Sequence, residues 1–172
     1  LKISLPVVAK PPREGSSVGV HIVHTDAEWK AAVEDEKKFG RTTMVEEYID
    51  GKELTVGVLG ELVLPIIHIE PVEGFYDINN KYPWMGGTGT NDYHCPAPFD
   101  AATTKRIQDA ALAAFKACGK LVYGRVDIML RDDGHPFVLE VNTIPGMTSS
   151  SLLPKAARAV GIEFPELCSR II

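Results

Sequence analysis

Arg125, Asp127, Glu140 and Asn142 are the residues whose types and spacing could do chemistry. They lie in two runs of alternating character. Val126, Ile128 and Leu130 alternate with Arg125, Asp127 and Met129, and Phe137, Leu139 and Val141 alternate with Val138, Glu140 and Asn142. Period-two alternation on both sides of Asp133-Gly134 predicts a β-hairpin. A two-residue turn at that pair puts Ile128 opposite Leu139, Asp127 opposite Glu140 and Arg125 opposite Asn142. Facing carboxylates repel and weaken a sheet. A hard divalent cation held between them reverses the sign, and Asn142 adds a neutral oxygen to the same face. Arg125 then suits a cation-bound polyphosphate. A solvated strand face that happens to carry acids is the competing explanation.

The stretch after the hairpin favours a site. It leaves the strand through Ile144-Pro145-Gly146, then offers the hydroxyls of Thr148, Ser149, Ser150 and Ser151 at the start of a helix. Free N–H groups at such an end attract anions.

Other elements must position these groups. Residues 6–11 form a short strand ending in Lys10, followed by the Gly/Ser loop of residues 12–19. Small residues such as Ser16 and Ser17 let backbone N–H groups converge on a phosphate. Many Gly/Ser loops do nothing of the kind, and this is not the P-loop spacing. Strand 18–24 precedes a capping box, Thr25 to Glu28, which opens a helix running to about Phe39 and ended by Gly40. His21 and His24 lack metal-like companions and read as structural. Strand 43–49 carries Glu46 and Glu47 beside Tyr48 and Ile49, a set that could grip a purine and ribose or serve only as an acidic linker. Glu53 starts the next strand. Pro65, in the strand that returns after Gly60-Glu61, predicts an edge position or a bulge. Residues 70–98 are glycine-rich and aromatic, as suits a lid, with Lys81 and Tyr82 at its base; a surface insertion is the plainer reading. Asp100 caps a helix to Cys118 with an apolar face that includes Ile107, Ala111, Phe115 and Cys118. Further helices begin near Leu152 and Phe164.

Composition sets the class. The 172 residues, 45% hydrophobic and 24% charged, can bury a substantial core. A net charge of −5 gives no general affinity for nucleic acid or an anionic membrane. No apolar run approaches the roughly 18 residues of a membrane span. Three scattered cysteines fit neither a zinc site nor a disulfide framework and point to a reduced, cytoplasmic protein. Opening at Leu1 and almost at once in a strand, the chain reads as part of something longer.

Lys10-Pro11, Glu14-Gly15-Ser16-Ser17-Val18-Gly19, Val45-Glu46-Glu47-Tyr48, Phe75-Tyr76-Asp77, Lys81-Tyr82, Cys95-Pro96-Ala97, Gly124-Arg125-Val126-Asp127 and residues 140–148 together resemble D-alanine–D-alanine ligase, of the ATP-grasp superfamily. The resemblance covers the whole chain in motif order. It implies an α+β fold of two subdomains with mainly antiparallel sheets gripping ATP, residues 1–53 in the central one and 54–172 in the C-terminal one. It implies that Lys10 and Lys81 hold ATP phosphates under a flap with Ser16 and Ser17. Glu46, Glu47, Tyr48 and Ile49 would line the adenine pocket and Glu53 the ribose. Asp127, Glu140 and Asn142 would bind two Mg²⁺ ions, with Mn²⁺ as a substitute. Arg125 and the Gly146 N–H would stabilise an oxyanion, and Ser16 and Tyr82 would take part in catalysis with them. Ser151 and the Leu152 N–H would take the second D-alanine's carboxylate, and Tyr76 would bind substrate. The implied product is D-alanyl-D-alanine for peptidoglycan, made through an acyl phosphate by a homodimer when full length. The family's first domain and its amine-binding Glu do not match anything here, so the 172 residues alone are expected to turn over poorly. The alternatives are another ATP-grasp carboxylate–amine ligase and a non-catalytic nucleotide-binding module.

Overall fold

A computed structural model describes residues 3–71 and 91–172. Tyr76, Lys81, Tyr82 and most of the expected lid therefore lie outside the described residues. The chain divides into two compact units, Leu1–Tyr48 with Pro71–Asn91, and Ile49–Glu70 with Asp92–Ile172.

In the first unit, β1 (Val7–Lys10) lies between β2 (His21–Val23) and β3 (Met44–Glu47), antiparallel to both. Helix α1 (Asp26–Glu36) starts at the expected capping box, with Thr25 Oγ1 accepting from the Glu28 N–H and Glu28 accepting from the Thr25 N–H. It ends three residues before Phe39, earlier than expected, and a turn at 37–39 carries the chain to Gly40. Its small core is Val7, Ala9, Val23 and Ala32, packed by Trp29 and Val45.

The second unit holds a five-stranded sheet in the order β6-β5-β4-β7-β8, from β4 (Gly51–Leu59), β5 (Leu62–Pro71), β6 (Asn91–His94), β7 (Tyr123–Arg131) and β8 (Pro136–Asn142). Asp100 caps α2 (Ala101–Ala117) through the Thr103 N–H, as its sequence position predicts. Ile107, Ala111 and Phe115 of α2 pack on Leu54, Val56, Val58, Ile66, Val126, Ile128 and Leu130, one face of the sheet. Cys118 is exposed, not core: it is the C-cap of α2, one step beyond the buried stripe. The other face carries α3 (Leu152–Arg158), whose Leu153 lies over Gly57; a Cβ there would come within 2.6 Å of it. Helix α4 (Phe164–Ile171) follows and buries Leu167. Pro65 sits at a bulge, where Val56 pairs with Ile66 but Val58 pairs with Val63.

The hairpin differs from expectation in two places that cancel. The Arg131 N–H donates to His135 O, and the Gly134 N–H to Arg131 O, so the loop has three residues, with Gly134 at φ +79°. That is the three-residue hairpin with glycine in the left-handed position. It pairs Ile128 with Val138 instead of Leu139. A bulge at Leu139 then restores the count, and Asp127 pairs with Glu140 and Arg125 with Asn142.

Candidate active site

Alternation along β4 and β7 puts Glu53, Thr55 and Gly57 on the sheet face opposite α2, together with Arg125, Asp127 and Met129. The register adds Glu140 and Asn142 from β8. Asp127 is 7% exposed. It is held from three directions: Arg125 Nε donates to Oδ1 at 2.9 Å, Arg125 Nη2 to Oδ2 at 2.8 Å, and Thr55 Oγ1 to Oδ1 at 2.6 Å. This two-pronged pairing fixes the carboxylate plane as well as its position. Glu140, on the edge strand, is exposed. Asn142 Oδ1 accepts from the Ile144 N–H at 3.1 Å, which turns the chain out of the strand.

Thr55 joins this candidate site through its bond to Asp127, and reading the sequence missed it. It is the one hydroxyl in the run Leu54–Leu59, 1% exposed, and bonded to Asp127. A polar residue in an otherwise apolar central strand was the available signal, since a buried hydroxyl needs a partner.

The loop after β8 is tied internally. Ser151 Oγ accepts from the Thr148 N–H at 3.0 Å and lies 2.8 Å from Thr148 Oγ1, which is 3.2 Å from Ser150 Oγ. Ser151 is thus the N-cap residue of α3 without capping it by its side chain, and Leu152 is the first helical residue. A Cβ on Gly146 would stand 2.9 Å from Ser151 Oγ, so these two residues meet only because one is glycine.

In the first unit, Lys10 Nζ and Glu46 Oε2 pair at 2.6 Å on the sheet face away from α1. Glu47 pairs across β1 with Val7 and points to the other face, so Glu46 and Glu47 do not share a face through their side chains. Tyr48 meets His24 edge-on at 5.9 Å, and Ile49 is buried. Ser16 and Ser17 both have positive φ, +57° and +61°, and the Val18 N–H donates to Gly15 O across them. That is the pattern of a type I′ turn, which ordinarily selects Asn or Gly. Two serines there cost about 1–2 kcal/mol each, and such strain concentrates at functional loops.

The donor chemistry on the β7–β8 face fits a hard divalent ion: two carboxylates and an amide oxygen, with no sulfur or imidazole among them. The buried Asp127 is already oriented, and Glu140 supplies the charge that the Arg125–Asp127 pair leaves at zero.

Comparison with known proteins agrees with this picture. A family model described as "D-ala D-ala ligase C-terminus" matches residues 1–172. A D-alanine–D-alanine ligase of Methylacidiphilum infernorum is 47% identical over 167 residues, covering 97% of this chain and 54% of that protein. One of Alkalilimnicola ehrlichii is 45% identical over 170 residues, covering 99% and 53%. Among solved structures, a Bacillus anthracis D-alanine–D-alanine ligase complexed with ATP aligns with TM-score 0.81 at 35% identity, over 99% of this chain and 52% of that one. The VanG D-Ala:D-Ser ligase of Enterococcus faecalis aligns with TM-score 0.84 at 35% identity, over 98% and 49%. The chain spans about half the length of these relatives, and its α+β architecture is their ATP-grasp fold. With the match running from its first residue to its last, the chain belongs to the family of D-alanine–D-alanine ligase C-terminal regions.

Proposed function

We propose that this chain is the ATP- and metal-binding part of a ligase that joins two D-alanines. The observation that carries the reading is the register of β7 against β8, which sets Asp127 opposite Glu140 and Arg125 opposite Asn142 within a chain of this family. Asp127, Glu140 and Asn142 would hold Mg²⁺, or Mn²⁺ in its place. Bound there, Mg²⁺ would supply charge neutralisation at the phosphates. Lys10 and Lys81 add positive charge along the phosphates, and the strained Ser16-Ser17 turn aims N–H groups and hydroxyls at them. Glu46, Glu47, Tyr48 and Ile49 would surround adenine, Glu47 by its backbone, and Glu53 would take the ribose.

The carboxylate of the first D-alanine attacks the γ-phosphorus; an O–P bond forms, the bond to the β-phosphate oxygen breaks, and ADP leaves. The amine of the second D-alanine attacks the acyl carbon, phosphate departs, and the amine loses a proton. Arg125 and the Gly146 N–H are assigned to the oxyanion of that step, a role worth about 3 kcal/mol per donor. Ser151 and the Leu152 N–H hold the acceptor's carboxylate, and Tyr76 and Tyr82 bound the substrate pocket. The product would feed peptidoglycan precursor synthesis in the cytoplasm, and the full-length protein would be a homodimer, with neither nucleic acid nor membrane as partner.

The test is a coupled ADP-release assay with D-alanine, run on this chain and on a full-length counterpart. Release dependent on D-alanine in the full-length protein supports the reading; silence there with D-alanine, and release with another amino acid, overturns it. The likeness to a D-Ala:D-Ser ligase favours a second reading for the acceptor alone. Mass spectrometry of products from mixed D-alanine and D-serine distinguishes the two.

A further inference from the structure

The sheet face opposite Asp127 carries a second set of converging donors. His68 and Glu70 lie two residues apart on β5, and His94 lies on the adjacent strand β6. His68 pairs across β4 with Leu54, whose side chain faces α2, whereas Thr55, next to it, faces Asp127. The two clusters are therefore on opposite sides of one sheet. His94 Nε2 stands 2.9 Å from Glu70 Oε2, and one donor atom from each of the three residues lies within 4.8 Å of the other two. The imidazoles of His68 and His94 stack at 5.7 Å and 30°, and Phe99 backs His68 at 6.4 Å.

We propose that His68, Glu70 and His94 form a binding site for a borderline transition-metal ion of the Zn²⁺ class, which would clamp β6 to β5. Ligands around a tetrahedral Zn²⁺ sit about 2.0–2.2 Å from the ion. Neighbouring donors are then separated by rather more than 3 Å, so small side-chain rotations would convert the present hydrogen bond into shared coordination. Two imidazoles and one carboxylate leave a fourth position for water. Imidazole selects Zn²⁺ over Mg²⁺, the reverse of the all-oxygen face around Asp127. Desolvation holds the His68 pKa below its usual value. Lys52, on β4, and the neighbouring His94 act in the same direction on His68, while Glu70 opposes them. The Lys52 charge also works against a bound cation, so Lys52→Gln should bind Zn²⁺ more tightly.

Chelator-treated protein is titrated with Zn²⁺ by calorimetry in excess Mg²⁺, which occupies oxygen-only sites. The expected result is one Zn²⁺ per chain, a rise in Tm on binding, and at least a tenfold loss of affinity in His94→Ala. His94 is exposed, so its removal leaves the core untouched; circular dichroism checks this. Co²⁺ substitution should give the intensified visible absorption of a four-coordinate site in the wild type and not in His94→Ala. No Zn²⁺ uptake, or equal uptake by the wild type and a His68→Ala/His94→Ala variant, overturns the proposal. Either result leaves the assignment at Asp127 standing, because the ADP-release assay reads that site independently.

Discussion

A carboxylate at 7% exposure is costly unless it is paired and hydrogen-bonded, and Asp127 satisfies both conditions through Arg125 and Thr55. Thr55→Val keeps the shape of that position and deletes one donor. A hydrogen bond to a charged group contributes about 1.5–3 kcal/mol, so urea denaturation should show a loss of that order, with weaker Mg-ATP binding because the carboxylate is freer to turn. Asp127→Asn should weaken Mg-ATP more, since it also removes the charge a cation needs; unchanged affinity by calorimetry would favour a non-catalytic module. Glu36 is the opposite case. At 3% exposure, neither of its oxygens has a hydrogen-bond partner of ordinary geometry among the described residues. Desolvation raises its pKa, offset in part by His21 and Thr43 and reinforced by Asp35. Its folded value lies above the unfolded carboxylate value of about 4.3. The stability it gives is therefore complete at low pH and lost as pH rises through the raised value. Glu36→Gln should raise Tm at pH 7 by about 3 °C, on the order of 1 kcal/mol for a chain of this length. The gain should shrink at pH 4, and an equal gain at both pH values would count against the burial argument.

At the scale of elements, the hairpin shows what sequence made legible and what it did not. Alternation identifies β7 and β8 and the face each residue takes. The pairs Asp127–Glu140 and Arg125–Asn142, however, rest on a two-residue turn and hold only because the bulge at Leu139 offsets the longer loop. Alternation did not reveal the three-residue loop or that bulge. Asp-Gly serves either loop length, and a bulge changes the count without changing composition. The capping box of α1 and the Asp100 cap of α2 were legible for a different reason: one side chain and one N–H three residues on suffice. Thr55 was not, since its partner lies 72 residues away. Cys118 matches the helical period but falls one residue past the end of α2, where the buried stripe has stopped. The loop itself carries a prediction. Asp133 accepts from Arg131 and from the His135 N–H, and the Arg131 side chain foremost, then that N–H, hold its pKa below the usual value. The hairpin thus keeps this contribution above about pH 4 and loses it as pH falls through the lowered value. Asp133→Asn should remove that part of the acid sensitivity. Gly134→Ala, at φ +79°, should cost about 1–2 kcal/mol at every pH. An acid limb of the stability curve unchanged in Asp133→Asn would show that this carboxylate is not linked to folding.

The whole molecule is two units of unequal strength. Among the described residues, the sheet of β4 to β8 buries ten in one cluster with α2, including Leu54, Ile107, Phe115 and Ile128, whereas the three-stranded sheet buries Val7, Ala9, Val23 and Ala32. At about 25 cal/mol per Å² of apolar surface removed from water, the larger cluster gains several-fold more. Strands of three and four residues add few ladder hydrogen bonds to the smaller one. Nor does the buried Glu36 strengthen it. Opening free energies vary across a chain with such differences in burial. Hydrogen exchange without ligand should accordingly show β1–β3 amides opening well below the free energy needed for β4 and β7. In the proposed function Lys10 and the Ser16-Ser17 turn, both in the smaller unit, contact the ATP phosphates. Mg-ATP should then raise protection in β1–β3 more than in β4 and β7, because binding stabilises most what is least stable unliganded. Uniform protection in the free chain would refute the division. A rise confined to β4 and β7 would mean that Lys10 and the serine turn do not touch the nucleotide.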